Sequence, residues 1–211
     1  MKRTTLYLTR HGQTEWNVAR KIQGHNDSPL TEHGLLQADW LCEVLRDINF
    51  NAIYSSTSLR AVKTAEIIRG NREVNIIAKD DLREIGMGDW EGLERDTLEE
   101  KYREEYSVYC NAPHLYKPAS NGESYFDVQQ RVLPLIRNIV ASHHGTNVMI
   151  VTHTVTLKLI MGYFENRPLE RLWDPPFIHP TCLCKVAIED NTALIELHGD
   201  TSHYRESDEG I

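Results

Sequence analysis

The sequence predicts an α/β fold in three layers: a mainly parallel central sheet, helices on both of its faces and an antiparallel edge strand. Three observations point there. Strand-like apolar segments alternate with apolar residues at helical spacing from residue 4 to residue 197, the order that builds a parallel sheet with both faces covered. The run Asn147-Val148-Met149-Ile150-Val151-Thr152 is apolar without alternation, as a strand buried on both sides is. Two alternating segments near the end, 183–188 and 193–197, are joined by the turn-like Glu189-Asp190-Asn191 and predict the antiparallel edge.

The remaining elements follow in order. Residues 4–8 form a short apolar strand that stops at Arg10-His11-Gly12. After a polar stretch at 23–29, Leu35, Ala38, Leu41, Cys42, Leu45 and Ile48 recur at helical spacing, with Thr31 as N-cap. Residues 52–54 are a strand, and Leu59, Val62, Ala65 and Ile68 then lie on one face of a helix. A strand at 74–78 leads into the Gly-rich stretch 84–92 and a charged helix over 95–109. The segment 113–122, with Pro118 and Asn121-Gly122, is a loop. A long helix follows, facing inward with Val128, Val132, Leu135, Ile136, Ile139 and Val140 and capped by a Ser120/Glu123 box. A last helix runs to about Phe164. No repeat or linker interrupts the chain, so one domain over 1–199 is expected, followed by a polar tail at 200–211.

Composition narrows the partners. The 211 residues are 40% hydrophobic and carry a formal net charge of −8, which disfavours a general grip on nucleic acid or an anionic membrane. No apolar run approaches the roughly 20 residues of a membrane span, and Thr9, Arg10 and His11 interrupt any leader-like segment. A cytoplasmic protein is expected. Four cysteines are too few for a disulfide scaffold at this length, and Cys182 and Cys184 share one face of a strand as packing residues.

The chemistry gathers at the carboxyl ends of the strands, where open α/β sheets bind ligands. Arg10 and His11 follow the first strand, His153 follows the strand ending at Thr152, and Arg60 lies in the first turn of the helix after 52–54. Glu84 approaches on the loop after 74–78. Guanidinium forks match phosphate oxygens, a neutral imidazole is a nucleophile towards phosphorus, and a carboxylic acid can protonate a departing alkoxide. A helix N-terminus after a strand adds backbone donors for an anion. The set suggests phosphoryl chemistry.

The segment Leu8-Thr9-Arg10-His11-Gly12-Gln13-Thr14-Glu15-Trp16-Asn17 resembles the signature of the histidine phosphatase superfamily, which includes the cofactor-dependent phosphoglycerate mutases. Ser28-Pro29-Leu30-Thr31 with Gly34, Ser55-Ser56 with Arg60-Ala61 and Thr64-Ala65, Leu82-Arg83-Glu84 with Gly88, Trp90-Glu91-Gly92, Gly122-Glu123-Ser124 and Val151-Thr152-His153 continue the resemblance in family order over roughly 4–165. It implies a phosphoglycerate mutase-like fold and a metal-independent phosphomonoesterase with no cofactor. By the same resemblance His11 is the phosphorylated nucleophile, Arg10, Arg60, Asn17 and His153 form the phosphate pocket, and Glu84 is the proton donor. Gln23 and Ser28 lie near enough in the motif loop to touch substrate. Thr154 stands where glycine or alanine is commoner and is expected to narrow the pocket wall or add a hydroxyl contact. Thr9 stands where valine is common, a near-isosteric change expected to adjust packing only.

The expected partner is a small phosphorylated metabolite, and the chain is expected to work as a monomer or homodimer. Tyr102, Tyr106, Tyr109, Leu115, Tyr116 and Tyr125 are candidates to wall an apolar leaving-group pocket, and His114 with Tyr116 to lid it. Residues 93–116 hold Lys101 and Arg103 but no adjacent arginines, unlike the mutases, which favours hydrolysis. A mutase, and a non-catalytic phospholigand-binding protein on the same fold, remain the other readings at this stage.

Overall fold

A computed structural model describes residues 3–118, 120–190 and 192–205. Asn191 of the final turn and residues 206–211 of the polar tail lie outside the described residues. Four strands pair in parallel: β1 (Thr4–Arg10), β2 (Ala52–Ser56), β3 (Ile76–Lys79) and β4 (Asn147–Thr152). β5 (Leu183–Glu189) runs antiparallel to β1, and β6 (Thr192–Asp200) antiparallel to β5, in the sheet order β3-β2-β4-β1-β5-β6.

The period-two alternation of side chains divides the core between the two faces. Leu6, Leu8, Val148 and Ile150 pack under α6 (Tyr125–Ser142) and α7 (Thr154–Glu165), with Val132, Ile136, Leu157 and Ile160. Tyr7, Ile53, Met149 and Val151 pack on the other face against α2 (Glu32–Val44) and α3 (Leu59–Arg69), through Leu41, Leu45, Ala61, Ala65 and Ile68. The chain leaves β1 towards β2 and leaves β4 towards β5, so a crevice opens where these adjacent central strands end. Their register pairs Arg10 with Thr152, which brings His11 and His153 out side by side.

A third cluster sits above that crevice. Trp90 is buried among Tyr102, Tyr106, Tyr109 and Tyr116, with Tyr125 and Trp173 beside them. This cluster breaks the expected helix over 95–109 into α4 (Arg95–Lys101) and α5 (Arg103–Asn111), because Tyr102 leaves helical geometry (ψ 35°) as its ring packs on Trp90. A one-turn α1 (Glu15–Val18) precedes α2.

Two local expectations fail for identifiable reasons. The cap of α6 is Ser124 with Asp127, and not Ser120 with Glu123: the Ser124 hydroxyl accepts the Asp127 N–H while the Asp127 carboxylate accepts the Ser124 N–H. Glu123 is instead engaged by Arg131, and the Ser120 hydroxyl donates to Asp89. Thr9 does more than fill space, since its buried hydroxyl donates to the Cys182 carbonyl at 2.7 Å and ties β1 to the start of β5. Thr31 caps α2 as expected, accepting the Gly34 N–H at 2.9 Å, and Cys182 and Cys184 are buried free thiols.

Candidate active site

His11 follows the last residue of β1, and its Nδ1 lies 2.7 Å from the Gly12 carbonyl. A carbonyl only accepts, so Nδ1 carries the hydrogen and the neutral ring keeps its lone pair on Nε2. Burial first, then the charges of Arg60 and Arg10, hold the His11 pKa well below its usual value near 6.5. The imidazole is therefore neutral at physiological pH. Gly12 has no alternative here, because a Cβ on it would meet the Gly34 carbonyl oxygen at 2.4 Å.

Arg60, buried in the first turn of α3, is held from four directions. It donates to the carbonyls of Asn26 (2.8 Å) and Gly24 (2.9 Å), to Asp27 Oδ1 (2.9 Å) and to His153 Nδ1 (3.2 Å). The other oxygen of Asp27 accepts the Leu59 N–H at 2.5 Å, so one carboxylate fixes both the arginine and the start of its helix. Since a guanidinium must donate, His153 accepts at Nδ1 and donates from Nε2 to Ser56 Oγ at 2.8 Å. Burial, followed by Arg60, His11 and Arg10, also pushes the His153 pKa well below its usual value. The two rings meet edge to face with centroids 5.1 Å apart.

Arg10 donates to the Ile178 carbonyl at 3.1 Å, and burial lowers its pKa despite the favourable charge of Glu84. The buried Nε atoms of Arg10 and Arg60 make no hydrogen bond among the described residues. Two guanidinium groups with unused donors beside a neutral imidazole are the chemistry an incoming dianion requires.

Glu84 reaches the site from the loop after β3. Its carboxylate accepts the N–H groups of Ile85 (3.0 Å), Val155 (3.1 Å) and Thr156 (3.3 Å). Amides at the start of α7 thus serve Glu84. The Glu91 carboxylate joins this loop to the one that carries Asp27, accepting from His25 N (2.7 Å), Asn26 N (2.7 Å) and Met87 N (3.1 Å).

A cavity of about 380 Å³ opens among these elements. Arg10, His11, Arg60 and Glu84 are on its wall, and so are Asn17, Gln23 and Thr154. The Asn17 side-chain oxygen Oδ1 accepts the Thr14 N–H in a capping box. Gln23 Nε2 donates to Thr14 Oγ1 and Ser28 Oγ. Ser28 does not line the cavity: it is buried behind Gln23, which it orients. Nor does His153, which sits beneath the wall with both nitrogens in use.

Of the aromatic candidates, Tyr106 and Tyr109 line the cavity, whereas Tyr116 and Tyr125 are buried in the Trp90 cluster and Leu115 is exposed elsewhere. Neither His114 nor Tyr116 covers the opening. The outer wall instead includes Lys21, Arg95, Trp173 and Phe177, none of which the sequence singled out. Lys21 lies within reach of the motif loop, but nothing in the pattern around Trp173 or Phe177 signals a wall, since the loop before β5 brings them there. Among the described residues no group of three or more His, Cys, Asp or Glu is placed to hold a metal ion.

Comparison with known proteins identifies the family and the fold. The family profile described as histidine phosphatase superfamily (branch 1) matches residues 6–201. The solved structure of Bacillus stearothermophilus YhfR superposes with a TM-score of 0.92 at 46% identity, covering 95% of this chain and 98% of that one. The adenosylcobalamin/alpha-ribazole phosphatase of Escherichia coli (strain K12) is 32% identical over 80% of this chain and 82% of its own length. A probable phosphoglycerate mutase, GpmB of Proteus mirabilis (strain HI4320), is 36% identical over 77% of this chain and 75% of its own.

Proposed function

Because this chain belongs to the histidine phosphatase superfamily, we propose that it is a metal-independent phosphomonoester hydrolase that works through a phosphohistidine at His11. The observation that carries this reading is the imidazole of His11: neutral, with its lone pair on Nε2, on a cavity wall between Arg10 and Arg60. In the first half-reaction Nε2 attacks phosphorus, the bond to the ester oxygen breaks, and Glu84 as a carboxylic acid gives its proton to the leaving alcohol. In the second, Glu84 as carboxylate takes a proton from water, the hydroxide attacks phosphorus, and His11 leaves with its lone pair restored. Arg10 and Arg60 stabilise the equatorial oxygens, with a further donor from the Asn17 amide.

His153 acts in this scheme through Arg60, by accepting its N–H and filling the space beside His11. Gln23 and Thr154 shape the wall. The substrate is a small phosphorylated metabolite. Its leaving group lies between the aromatic side chains of Tyr106, Tyr109, Trp173 and Phe177 and the cations Lys21 and Arg95, a mixture that suits more than one leaving group and supports broad specificity. The absence of adjacent arginines in 93–116 supports hydrolysis over mutase chemistry. No described helix is long and apolar enough to cross a membrane. A cytoplasmic enzyme, monomer or homodimer, without nucleic-acid or membrane partners, belongs to the same proposal, and the net charge of −8 is in keeping with it.

The test is phosphate release from a panel of phosphomonoesters in chelator, beside 3-phosphoglycerate supplied with 2,3-bisphosphoglycerate. Phosphate release that persists in chelator and vanishes in His11→Ala is expected. Isomerisation of 3-phosphoglycerate faster than phosphate release would favour the mutase, and binding without turnover the non-catalytic protein.

A further inference from the structure

The motif Gly122-Glu123-Ser124 touches neither the cavity nor its phosphate-binding residues, yet its carboxylate lies at the centre of a network that ends on Glu84. After β3 the chain makes a single short turn (Asp80–Leu82) and then runs without a strand or helix partner to Gly88. Every buried carbonyl in such a stretch needs a donor from elsewhere. Arg131, on the second turn of α6, supplies three of them, while the Thr152 and Thr156 hydroxyls donate to the carbonyls of Leu82 and Arg83. Its NH1 donates to the carbonyls of Asp81 (2.8 Å) and Arg83 (3.0 Å), and its NH2 to the carbonyl of Glu84 (3.0 Å).

The remaining donors go to Glu123, from Nε to Oε1 at 2.8 Å and from NH2 to Oε2 at 2.9 Å. All five N–H groups of the guanidinium are thereby used. Glu123 holds the far side of the same loop. Its Oε2 accepts the Gly86 N–H at 2.8 Å and its own N–H donates to the Gly86 carbonyl at 2.7 Å. His25 completes the enclosure, with Nε2 3.1 Å from the Glu84 carbonyl and 3.5 Å from Glu123. Burial opposes ionisation of Glu123, but hydrogen bonds from His25, Arg131 and Gly86 outweigh it and carry its pKa below the ordinary carboxylate value. The pair stays charged, and the fork geometry fixes direction as well as energy.

We infer that Glu123 and Arg131 are positioning residues that set where the Glu84 carboxyl stands over the reacting phosphorus, without touching substrate. The inference rests on the acid role proposed above for Glu84. Arg131 grips the backbone of the residue that carries the proton, on one side, while the N-terminus of α7 grips its side chain on the other. A lysine at 131 has no planar fork and cannot reach three carbonyls and a bidentate carboxylate together. In Arg131→Lys the loop keeps its charge balance but loses the constraint, and the carboxyl drifts from the leaving oxygen.

The experiment compares kcat/KM for two esters in the full chain of wild type, Arg131→Lys, Glu123→Gln and Glu84→Gln. Glycerol 1-phosphate leaves as an alkoxide that needs a proton; 4-nitrophenyl phosphate leaves as a stabilised anion that does not. Because kcat/KM covers the steps up to release of the first alcohol, it excludes hydrolysis of the phosphohistidine, and the contrast between the two esters isolates the acid step. The clamp predicts that Arg131→Lys and Glu123→Gln lower the glycerol ester by about tenfold to a hundredfold, part of the roughly 10²–10⁴-fold a positioned acid supplies, and the nitrophenyl ester by less than about threefold. An equal fall for both esters, or no fall in either, in variants whose unfolding is still cooperative overturns the positioning role while Glu84→Gln discriminates. If Arg131→Lys does not fold, Glu123→Gln, which retains the Gly86 contact, carries the comparison. Should Glu84→Gln itself fail to discriminate, the acid assignment falls and the clamp with it.

Discussion

Gly34 sits in the first turn of α2, far in sequence from His11, and replacing it with alanine tests how tightly the nucleophile turn is built. Helix propensity alone makes Gly34→Ala stabilising, by about 1 kcal/mol. Packing opposes this. A Cβ at position 34 would lie 2.0 Å from the Gln13 carbonyl oxygen and 2.8 Å from the Gln13 nitrogen, both backbone atoms, and 2.0 Å is more than an ångström inside ordinary contact. Gln13 has little room to retreat, since its N–H is bonded to Gln37 and its carbonyl accepts the Thr31 N–H. Overpacking of this kind costs about 1–3 kcal/mol or more, and rigid backbone on both sides places it at the upper end, for a net loss of about 2 kcal/mol. The displaced segment is His11-Gly12-Gln13. A shift near 1 Å in a reacting group lowers turnover by about a hundredfold. Urea denaturation and kcat/KM on one phosphomonoester measure the two effects. A Gly34→Ala variant that is more stable than wild type and fully active would refute the argument that the Gly34/Gln13 contact sets the site.

Two further outcomes follow from the electrostatics and the core. His11 and His153 have folded-state pKa values well below their unfolded values near 6.5, and burial depresses those of His179, His198 and His203 in the same direction. The unfolded chain therefore takes up protons that the folded chain refuses, so stability is fully present about one unit above 6.5 and is lost as pH falls through 6.5 towards the depressed values. Urea midpoints at pH 7.5, 6.5 and 5.5 should fall at each step, more steeply between the second and third, and the acid limb of kcat/KM should lie below 6.5; a midpoint that rises on acidification contradicts the burial argument. Thr9→Val removes the hydroxyl that serves the Cys182 carbonyl at 2.7 Å and should lower stability by about 1–2 kcal/mol. An unchanged urea midpoint would show that valine packs there without loss.

The layers of the fold are legible because burial imposes periodicity. The unbroken apolar run of β4 and the inward stripe of α6 could occupy no other place, and the histidines at the ends of β1 and β4 follow from register. Local chemistry with two competing solutions is less legible. Ser120/Glu123 and Ser124/Asp127 both satisfy a capping pattern, and tertiary partners, Arg131 for Glu123 and Asp89 for Ser120, take the first pair out of use. The break at Tyr102 depends on where the Trp90 ring lies. In the site, residues adjacent to the nucleophile are written in one segment, whereas Trp173 and Phe177 reach the wall by the course of a loop and leave no periodic trace. Ser28 and His153 show a further limit. Sequence places both near the phosphate pocket, but hydrogen-bond partners decide that one orients Gln23 and the other braces Arg60.

The central claim is covalent transfer to His11, and trapping the intermediate tests it most directly. The full-length protein, mixed in chelator with a ³²P-labelled phosphomonoester and quenched in alkali, where phosphohistidine survives, should carry label on His11 alone. The His11→Ala protein should carry none and release no phosphate. Label on another residue, or undiminished phosphate release by His11→Ala, would contradict the account.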